Sequence, residues 1–244
     1  MSRRFPIGRY AGIPVLVDAS WFVMLGVISW TLATGYFPSE AQGLRPQQYW
    51  LLGIVAAVLL FVCVLLHELG HALLAKLSGL GVDRIVLFIF GGVAQIAQEA
   101  RRPVTELAIA LAGPLVSVAI GFACRYVALM WHPQTLPDIL GWLLLRYLFY
   151  VNIGLVLFNL LPGLPLDGGR VVGALLWAMT GDVVKATRIA GWLGGLLGLG
   201  LWGLGLWSIV RGEWMQGMWD VLLGTFLRQA AQASAEHAKW HPAA

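Results

Sequence analysis

Charged residues are scarce in this chain. Asp, Glu, Lys and Arg make up 11% of its 244 residues, whereas 59% are hydrophobic. Soluble globular domains carry about 25% charged residues, so the composition excludes that class and indicates an integral membrane protein. The formal net charge of +4 gives no reason to expect a nucleic-acid partner, because lysine and arginine accumulate on the cytoplasmic side of membrane proteins.

Six apolar stretches approach the roughly 20 residues that a helix needs to cross the bilayer. They cover residues 15–33, 50–76, 104–130, 139–160, 186–210 and 214–228, the last being the shortest. No small-residue cleavage site follows an apolar stretch of the right length near the N-terminus, so the first stretch is interpreted as an anchor and not as a removed signal peptide. The pattern predicts an all-α polytopic membrane protein.

Basic residues set the orientation of such a protein. Placing the N-terminus in the cytoplasm puts most of the 16 lysines and arginines on that side. Six spans then bring the C-terminus back to the cytoplasm as well. The preponderance of arginine over lysine is typical of a GC-rich prokaryote, so we expect a multi-pass protein of a prokaryotic cell membrane.

The second stretch contains five residues that stand out from the apolar run, His67-Glu68-Leu69-Gly70-His71. Two histidines four positions apart lie on one face of a helix, so both imidazoles can bind a single zinc ion. Glu68 lies beside the metal without being a ligand, where it can take a proton from zinc-bound water. Because ionisable groups within a spanning helix are costly and by default functional, a membrane zinc hydrolase is predicted.

Two alternatives concern this helix. The histidines could merely satisfy polar neighbours in the core, but burying them with Glu68 and no metal would leave costly unpaired groups. Cys63 precedes His67 by four residues and shares its helix face, which makes it a conceivable fourth ligand. A thiolate there would leave no place for water, so packing as a small buried residue is favoured. Since Cys124 also falls in a predicted span, no disulfide framework is expected.

A second polar feature follows the fourth stretch, where Pro162, Pro165 and three glycines on both sides of Asp167 interrupt the helix. Irregular backbone at membrane depth is tolerated only when it is buried in protein or lines a wet cavity. The predicted topology places this break on the same side as His67 and His71, which makes Asp167 a candidate third ligand. A turn with a capping aspartate explains the same residues equally well.

Residues 83–96 are rich in β-branched and aromatic side chains around Gly91-Gly92. This pattern predicts a small β-hairpin with its turn at the two glycines. An exposed strand edge can pair with an unwound substrate segment and present an extended peptide to the metal. The alternative is a simple cytoplasmic β-loop with no substrate role.

The HELGH segment, followed two spans later by Asn-x-x-Pro-x-x-Pro-x-Asp-Gly-Gly, resembles the site-2 protease family of intramembrane zinc metalloproteases. The likeness covers essentially the whole chain, including the six-span layout and the segments 90–92 and 112–114. It implies that a membrane-associated hairpin lies near the active site. The residues whose roles it implies are His67, His71 and Asp167 as zinc ligands, Glu68 as general base, Asn159 in holding the substrate or the developing oxyanion, and Phe90, Gly91 and Gly92 in contact with the substrate.

The domain organisation is expected to be simple. No loop has room for a PDZ domain, so the chain resembles the compact six-span group of the family. Residues 1–229 are expected to form the protease domain and residues 230–244 a tail. Many members of that group carry a cystathionine-β-synthase-type (CBS) domain after the sixth span, so the sequence is compatible both with a truncation before such a domain and with its absence.

These expectations lead to an intramembrane zinc metalloprotease that acts in regulated intramembrane proteolysis. Its partners would be the lipid bilayer and a membrane-anchored protein substrate, such as a transcription factor or an anti-sigma-type regulator, cut in or near its transmembrane segment. The alternative is a non-catalytic metal-binding protein or carrier with the same fold. Glu68 favours the enzyme, because a carrier needs ligands but no base.

Overall fold

The computed structural model of the protein describes residues 4–98 and 100–240, with side chains as far as residue 234 apart from Glu99. It contains two compact units, one of residues up to 98 with 112–156 and the other of residues 99–111 with 157 onwards. Five helical stretches of the described chain are long and apolar enough to cross a membrane, which agrees with a polytopic fold. They are Ala19–Glu40, Pro46–Leu77, Pro103–Met130, Leu136–Asn159 and Val183–Val210.

The first stretch is a helix in three parts, α1 (Ala19–Thr31), a π-helical turn (Leu32–Tyr36) and α2 (Phe37–Glu40). It begins at residue 19 because Asp18 caps it, its carboxylate accepting the N–H of Ser20 at 3.0 Å. The predicted start at residue 15 is therefore wrong. Residues 15–18 belong to a strand, and a short apolar run of this kind does not distinguish a strand from a helix by periodicity.

Three long helices follow, α3 (Pro46–Leu77), α4 (Pro103–Met130) and α5 (Leu136–Asn159). Pro46 occupies the first position of α3, where its missing N–H costs nothing, and the Gln48 side chain accepts the N–H of Arg45 at 2.7 Å. Helix α3 ends just before Gly79, whose φ of +81° suits a glycine. The HELGH segment lies in the last third of α3.

Four strands form one sheet in the order β1 (Arg4–Tyr10), β2 (Ile13–Asp18), β3 (Val82–Phe88) and β4 (Gly91–Ile96). Strands β2 and β3 are parallel, and the two outer pairs are antiparallel. The sheet is thus larger than the predicted hairpin, which corresponds to β3 and β4. Its turn is also displaced, since Phe88 pairs with Gly91 and the loop consists of residues 89 and 90.

One face of the sheet packs on α3 and fixes the position of β4 relative to the HELGH segment. Val15, Ile85 and Leu87 are buried against Val64 and Ala72 of α3 in a single apolar cluster. Because side chains alternate along a strand, the residues that flank these positions lie on the opposite face. The sheet therefore places the β4 backbone beside α3.

The second unit contains α6 (Asp167–Thr180), α7 (Val183–Val210) and α8 (Trp214–Trp240). The sixth predicted span, 214–228, lies within α8, which is not among the five membrane-length apolar stretches of the described residues. Helix α8 continues through residues 230–240 of the predicted tail, and residues 241–244 lie outside the described residues. Helix α6 was not expected, because its first turn carries two glycines.

Candidate metal centre and general base

The two histidines of the HELGH segment face one another in the interior. His67 and His71 are 2% and 3% exposed, and their Nε2 atoms lie 3.2 Å apart. Two nitrogens bound to one zinc ion at tetrahedral angles lie roughly 3.3–3.4 Å apart, since Zn–N bonds are about 2.0–2.1 Å long. The ring arrangement therefore fits two ligands of a single zinc ion.

Ser117 of α4 fixes the orientation of one of these rings. Its Oγ lies 2.9 Å from Nδ1 of His67, and the serine is fully buried. A proton on Nδ1 that is donated to Ser117 leaves Nε2 unprotonated, as a metal ligand must be. Ser117 has no motif around it that would have identified it in the sequence, because the contact depends on how α3 and α4 pack.

Glycines let α4 approach the two histidines closely. A β-carbon on Gly113 would lie 2.7 Å from Nε2 of His67 and would overlap Nε2 of His71. A β-carbon on Gly70 would lie 2.9 Å from the carbonyl oxygen of Ala112. In the sequence, the segment 112–114 stands out only by its resemblance to the site-2 protease family. In the structure, Gly113 is the residue of this segment that faces both imidazoles.

Glu68 lies against strand β4. Its Oε2 accepts the backbone N–H of Ala94 at 3.0 Å. A β-carbon on Gly92 would lie 2.6 Å from Cγ of Glu68 and 3.2 Å from its Cδ. The Glu68 side chain is half-buried, and it contacts the predicted hairpin. Within this hairpin, Phe90 lies in the turn, and Gly91 and Gly92 begin the second strand.

Asn159 and Asp167 lie at the two ends of a non-helical segment in the second unit. Asn159 is the last residue of α5, and Asp167, 8% exposed, is the first of α6. A negative side chain at a helix N-terminus is favoured by the helix dipole. The predicted break in the helix is therefore present at residues 160–166, and the aspartate that follows it is buried.

The two glycines after Asp167 shape this segment. A β-carbon on Gly168 would overlap the carbonyl group of Leu160, and one on Gly169 would overlap the backbone of Gly163. The N–H of Leu164 donates to the carbonyl oxygen of Ala190 in α7 at 3.0 Å. Backbone contacts that only glycine permits thus hold the segment, and with it the position of Asp167, within the second unit.

Arg170 adds an ion pair to the first turn of α6. Its Nε donates to Oε1 of Glu106 at 2.8 Å, with both side chains about one quarter exposed. A cation near a helix N-terminus is unfavourable, and Glu106 offsets it. The ion pair joins α6 to the start of α4 inside the second unit.

Cys63 and the other three histidines of the chain have other surroundings. Asn152 of α5 donates from Nδ2 to Sγ of Cys63 at 3.3 Å, which supports the packing interpretation of this buried cysteine. His132 is exposed in the loop between α4 and α5. The side chains of His237 and His241 lie outside the described residues.

Comparisons with known proteins point to a single family. The family model of Peptidase family M50 matches residues 55–141 and 137–199. A "Putative zinc metalloprotease" of Synechocystis sp. is 37% identical over 98% of this chain and 62% of its own length. Another of that name, from Mycobacterium tuberculosis, is 40% identical over 95% of this chain and 58% of its own. The chain therefore spans about 60% of the length of these curated relatives.

A solved structure resembles the whole chain. The site-2 protease from Methanocaldococcus jannaschii is 29% identical and superposes with a TM-score of 0.64, covering 96% of this chain and 95% of that one. The likeness extends over nearly the full length of both chains. It agrees with the helical membrane fold with a small β-sheet.

Proposed function

This chain belongs to peptidase family M50, and we propose that it is an intramembrane zinc endopeptidase. It hydrolyses a peptide bond in or near a transmembrane segment of a membrane-anchored protein. The observation that carries the proposal is the pair of buried imidazole nitrogens 3.2 Å apart, with a carboxylate on the adjacent residue. Relatives named as zinc metalloproteases support zinc as the cofactor.

The proposed zinc ligands are His67, His71 and Asp167. Each of the three side chains is buried in its own unit of the described chain. A buried carboxylate is costly unless a cation neutralises it, and a zinc dication does so. Three protein ligands leave a fourth position open, as catalytic zinc sites require.

The chemistry divides between the metal and two side chains. Zinc bound there supplies Lewis-acid chemistry, polarising a peptide carbonyl and making water more acidic. Glu68 takes a proton from the attacking water at a carboxylate oxygen and delivers it to the nitrogen of the leaving amine as the C–N bond breaks. The side-chain amide of Asn159 holds the substrate or donates to the developing oxyanion.

The proposed substrate site is the open edge of β4, next to Phe90, Gly91 and Gly92. Strand β4 is an outer strand of the described sheet, and it lies beside Glu68. A peptide bond inside a helix is shielded by its own hydrogen bonds, so a substrate must unwind before cleavage, and strand pairing holds it extended. Substrates of this kind include membrane-anchored transcription factors and anti-sigma-type regulators.

The proposed topology retains six spans, with α8 contributing the last. Both termini then face the cytoplasm of a prokaryotic cell, and residues 1–229 form the protease domain with its hairpin associated with the membrane. The bias of basic residues toward one side of the membrane supports this orientation. Labelling of single cysteines introduced near the N-terminus and after residue 229, with a reagent that does not cross membranes, tests it.

The decisive experiment compares the wild-type protein with Glu68→Gln in detergent or nanodiscs, using a reporter transmembrane peptide. Glutamine cannot accept the proton, so cleavage should fall by roughly 10²–10⁴-fold, while the zinc content stays at the wild-type level. The matched control is Glu213→Gln, a glutamate that is exposed. Undiminished cleavage by Glu68→Gln would refute the mechanism, and zinc binding without any cleavage by the wild-type protein would favour a metal carrier.

A further inference from the structure

We propose that strand β4 positions the general base, with the N–H of Ala94 anchoring the carboxylate of Glu68 and Gly92 leaving room for its stem. The proposal rests on the proposed function, in which Glu68 is the base. It assigns Gly92 and Ala94 a role as positioning residues, which act on the reaction through Glu68.

Two contacts from alternate residues of β4 carry the inference. The N–H of Ala94 reaches Oε2 of Glu68 at 3.0 Å. Gly92 faces the stem of the same side chain so closely that its missing β-carbon would lie 2.6 Å from Cγ. The same β-carbon would lie 3.2 Å from Leu87 on the neighbouring strand. A side chain at residue 92 would therefore be crowded by both Glu68 and Leu87.

The anchoring N–H belongs to the open edge of the sheet. Strand β4 pairs with β3 on one side, and no strand pairs with its other side among the described residues. Successive N–H groups of a strand point to opposite sides, so an N–H that reaches Glu68 is not used in pairing with β3. Ala94 can therefore donate to the base at no cost to the sheet.

The contact matters for catalysis because a base acts only from the correct position. Glutamate has three rotatable side-chain bonds, and a fixed carboxylate is already oriented for proton transfer. Anchoring one oxygen to a backbone N–H of the sheet fixes the carboxylate of the residue that follows His67. Loss of the anchor should therefore lower kcat more than it changes KM or zinc content.

Ala94→Pro removes this N–H while keeping an extended backbone, which an edge strand accepts. We expect kcat to fall roughly 10- to 100-fold, since misplacement of a catalytic group by about 1 Å has effects of this size. Zinc content should change less than twofold, and any change in KM should be smaller than the loss of kcat. Ala94→Gly keeps the donor and should restore most of kcat.

Gly92→Ala tests the second contact and does not depend on proline being tolerated. It should also lower kcat at constant zinc content, because the new methyl group displaces Glu68. Its matched control is Gly154→Ala, at a glycine with no atom within 4 Å of the added carbon. Unchanged kcat in both Gly92→Ala and Ala94→Pro would overturn the proposal.

Hydrogen exchange of the Ala94 amide gives a readout that needs no activity. Exchange should become at least roughly tenfold faster in Glu68→Ala, which removes the acceptor, and should stay slow in Glu68→Gln, whose amide oxygen still accepts. Equal protection in all three proteins would refute the anchor. If the wild-type protein cuts no substrate, the proposed function fails, whereas the exchange result still decides whether β4 holds Glu68.

Discussion

Replacing Ser117 by alanine should weaken zinc binding while leaving the fold intact. The serine is fully buried, and its hydroxyl is 2.9 Å from Nδ1 of His67. A ligand imidazole presents an unprotonated Nε2, so its proton resides on Nδ1 and needs an acceptor. Ser117→Ala removes that acceptor in the zinc-bound protein, whereas the metal-free imidazole can move its proton to the other nitrogen.

The expected size follows from this asymmetry. A buried donor that loses its partner costs about 1–3 kcal/mol. The metal-free protein keeps some of this cost, because a change of tautomer relieves only part of it. The binding free energy changes by the difference between the two states, so we expect the lower part of that range, about 1–2 kcal/mol. This corresponds to a rise in the zinc Kd of about 5- to 30-fold.

Competition between the protein and a chromophoric zinc chelator in detergent measures this Kd. Ser29→Ala is the matched control, because Ser29 is 5% exposed in α1 of the same unit and has no contact with the histidines in the structure. Thermal unfolding of both metal-free variants shows whether the fold survives. An unchanged Kd for Ser117→Ala, or an equal loss in Ser29→Ala, would refute the role assigned to this hydroxyl.

Three further predictions concern the metal site. Gly113→Ala should lower zinc content and cleavage together, because the added carbon would lie 2.7 Å from Nε2 of His67. The control Gly154→Ala should keep both at the wild-type level, as measured by metal analysis and a peptide cleavage assay. Asp167→Asn keeps the size of the side chain but removes its charge, so zinc should dissociate faster in a chelator chase without a loss of helical content. Zinc dissociation at the wild-type rate would exclude Asp167 as a ligand. A phenanthroline-type chelator should abolish cleavage and added zinc should restore it; cleavage that resists the chelator would point to another mechanism.

The sequence allowed the proximity of the two candidate zinc ligands on α3 to be predicted, because helix geometry alone brings them together. Residues four apart on a helix share a face, and the structure places the Nε2 atoms of His67 and His71 3.2 Å apart. Ser117 could not be predicted in the same way. Its contact with His67 spans 50 positions in the chain and depends on the packing of α3 against α4, which no local pattern encodes.

The hairpin shows where a local rule yields to a tertiary contact. Two adjacent glycines are a strong turn signal, yet the turn lies at residues 89 and 90 and Gly92 is paired with Leu87 inside the sheet. A β-carbon on Gly92 would lie 2.6 Å from Cγ of Glu68, so the absence of a side chain there lets the strand approach α3. Strands β1 and β2 were not predicted, because the apolar residues 15–17 are continuous in sequence with the apolar residues of the first helix.

The glycines around the HELGH segment share a physical purpose. Two imidazoles and a carboxylate within an apolar protein must be screened from lipid, and bulky neighbours would keep other helices at a distance. Gly70 brings α4 onto α3, Gly113 covers the imidazoles, and Gly92 brings β4 onto Glu68. Small residues allow close backbone packing in membrane proteins. Here they bring backbone close to the polar cluster. Backbone supplies N–H donors such as that of Ala94, which apolar side chains cannot supply.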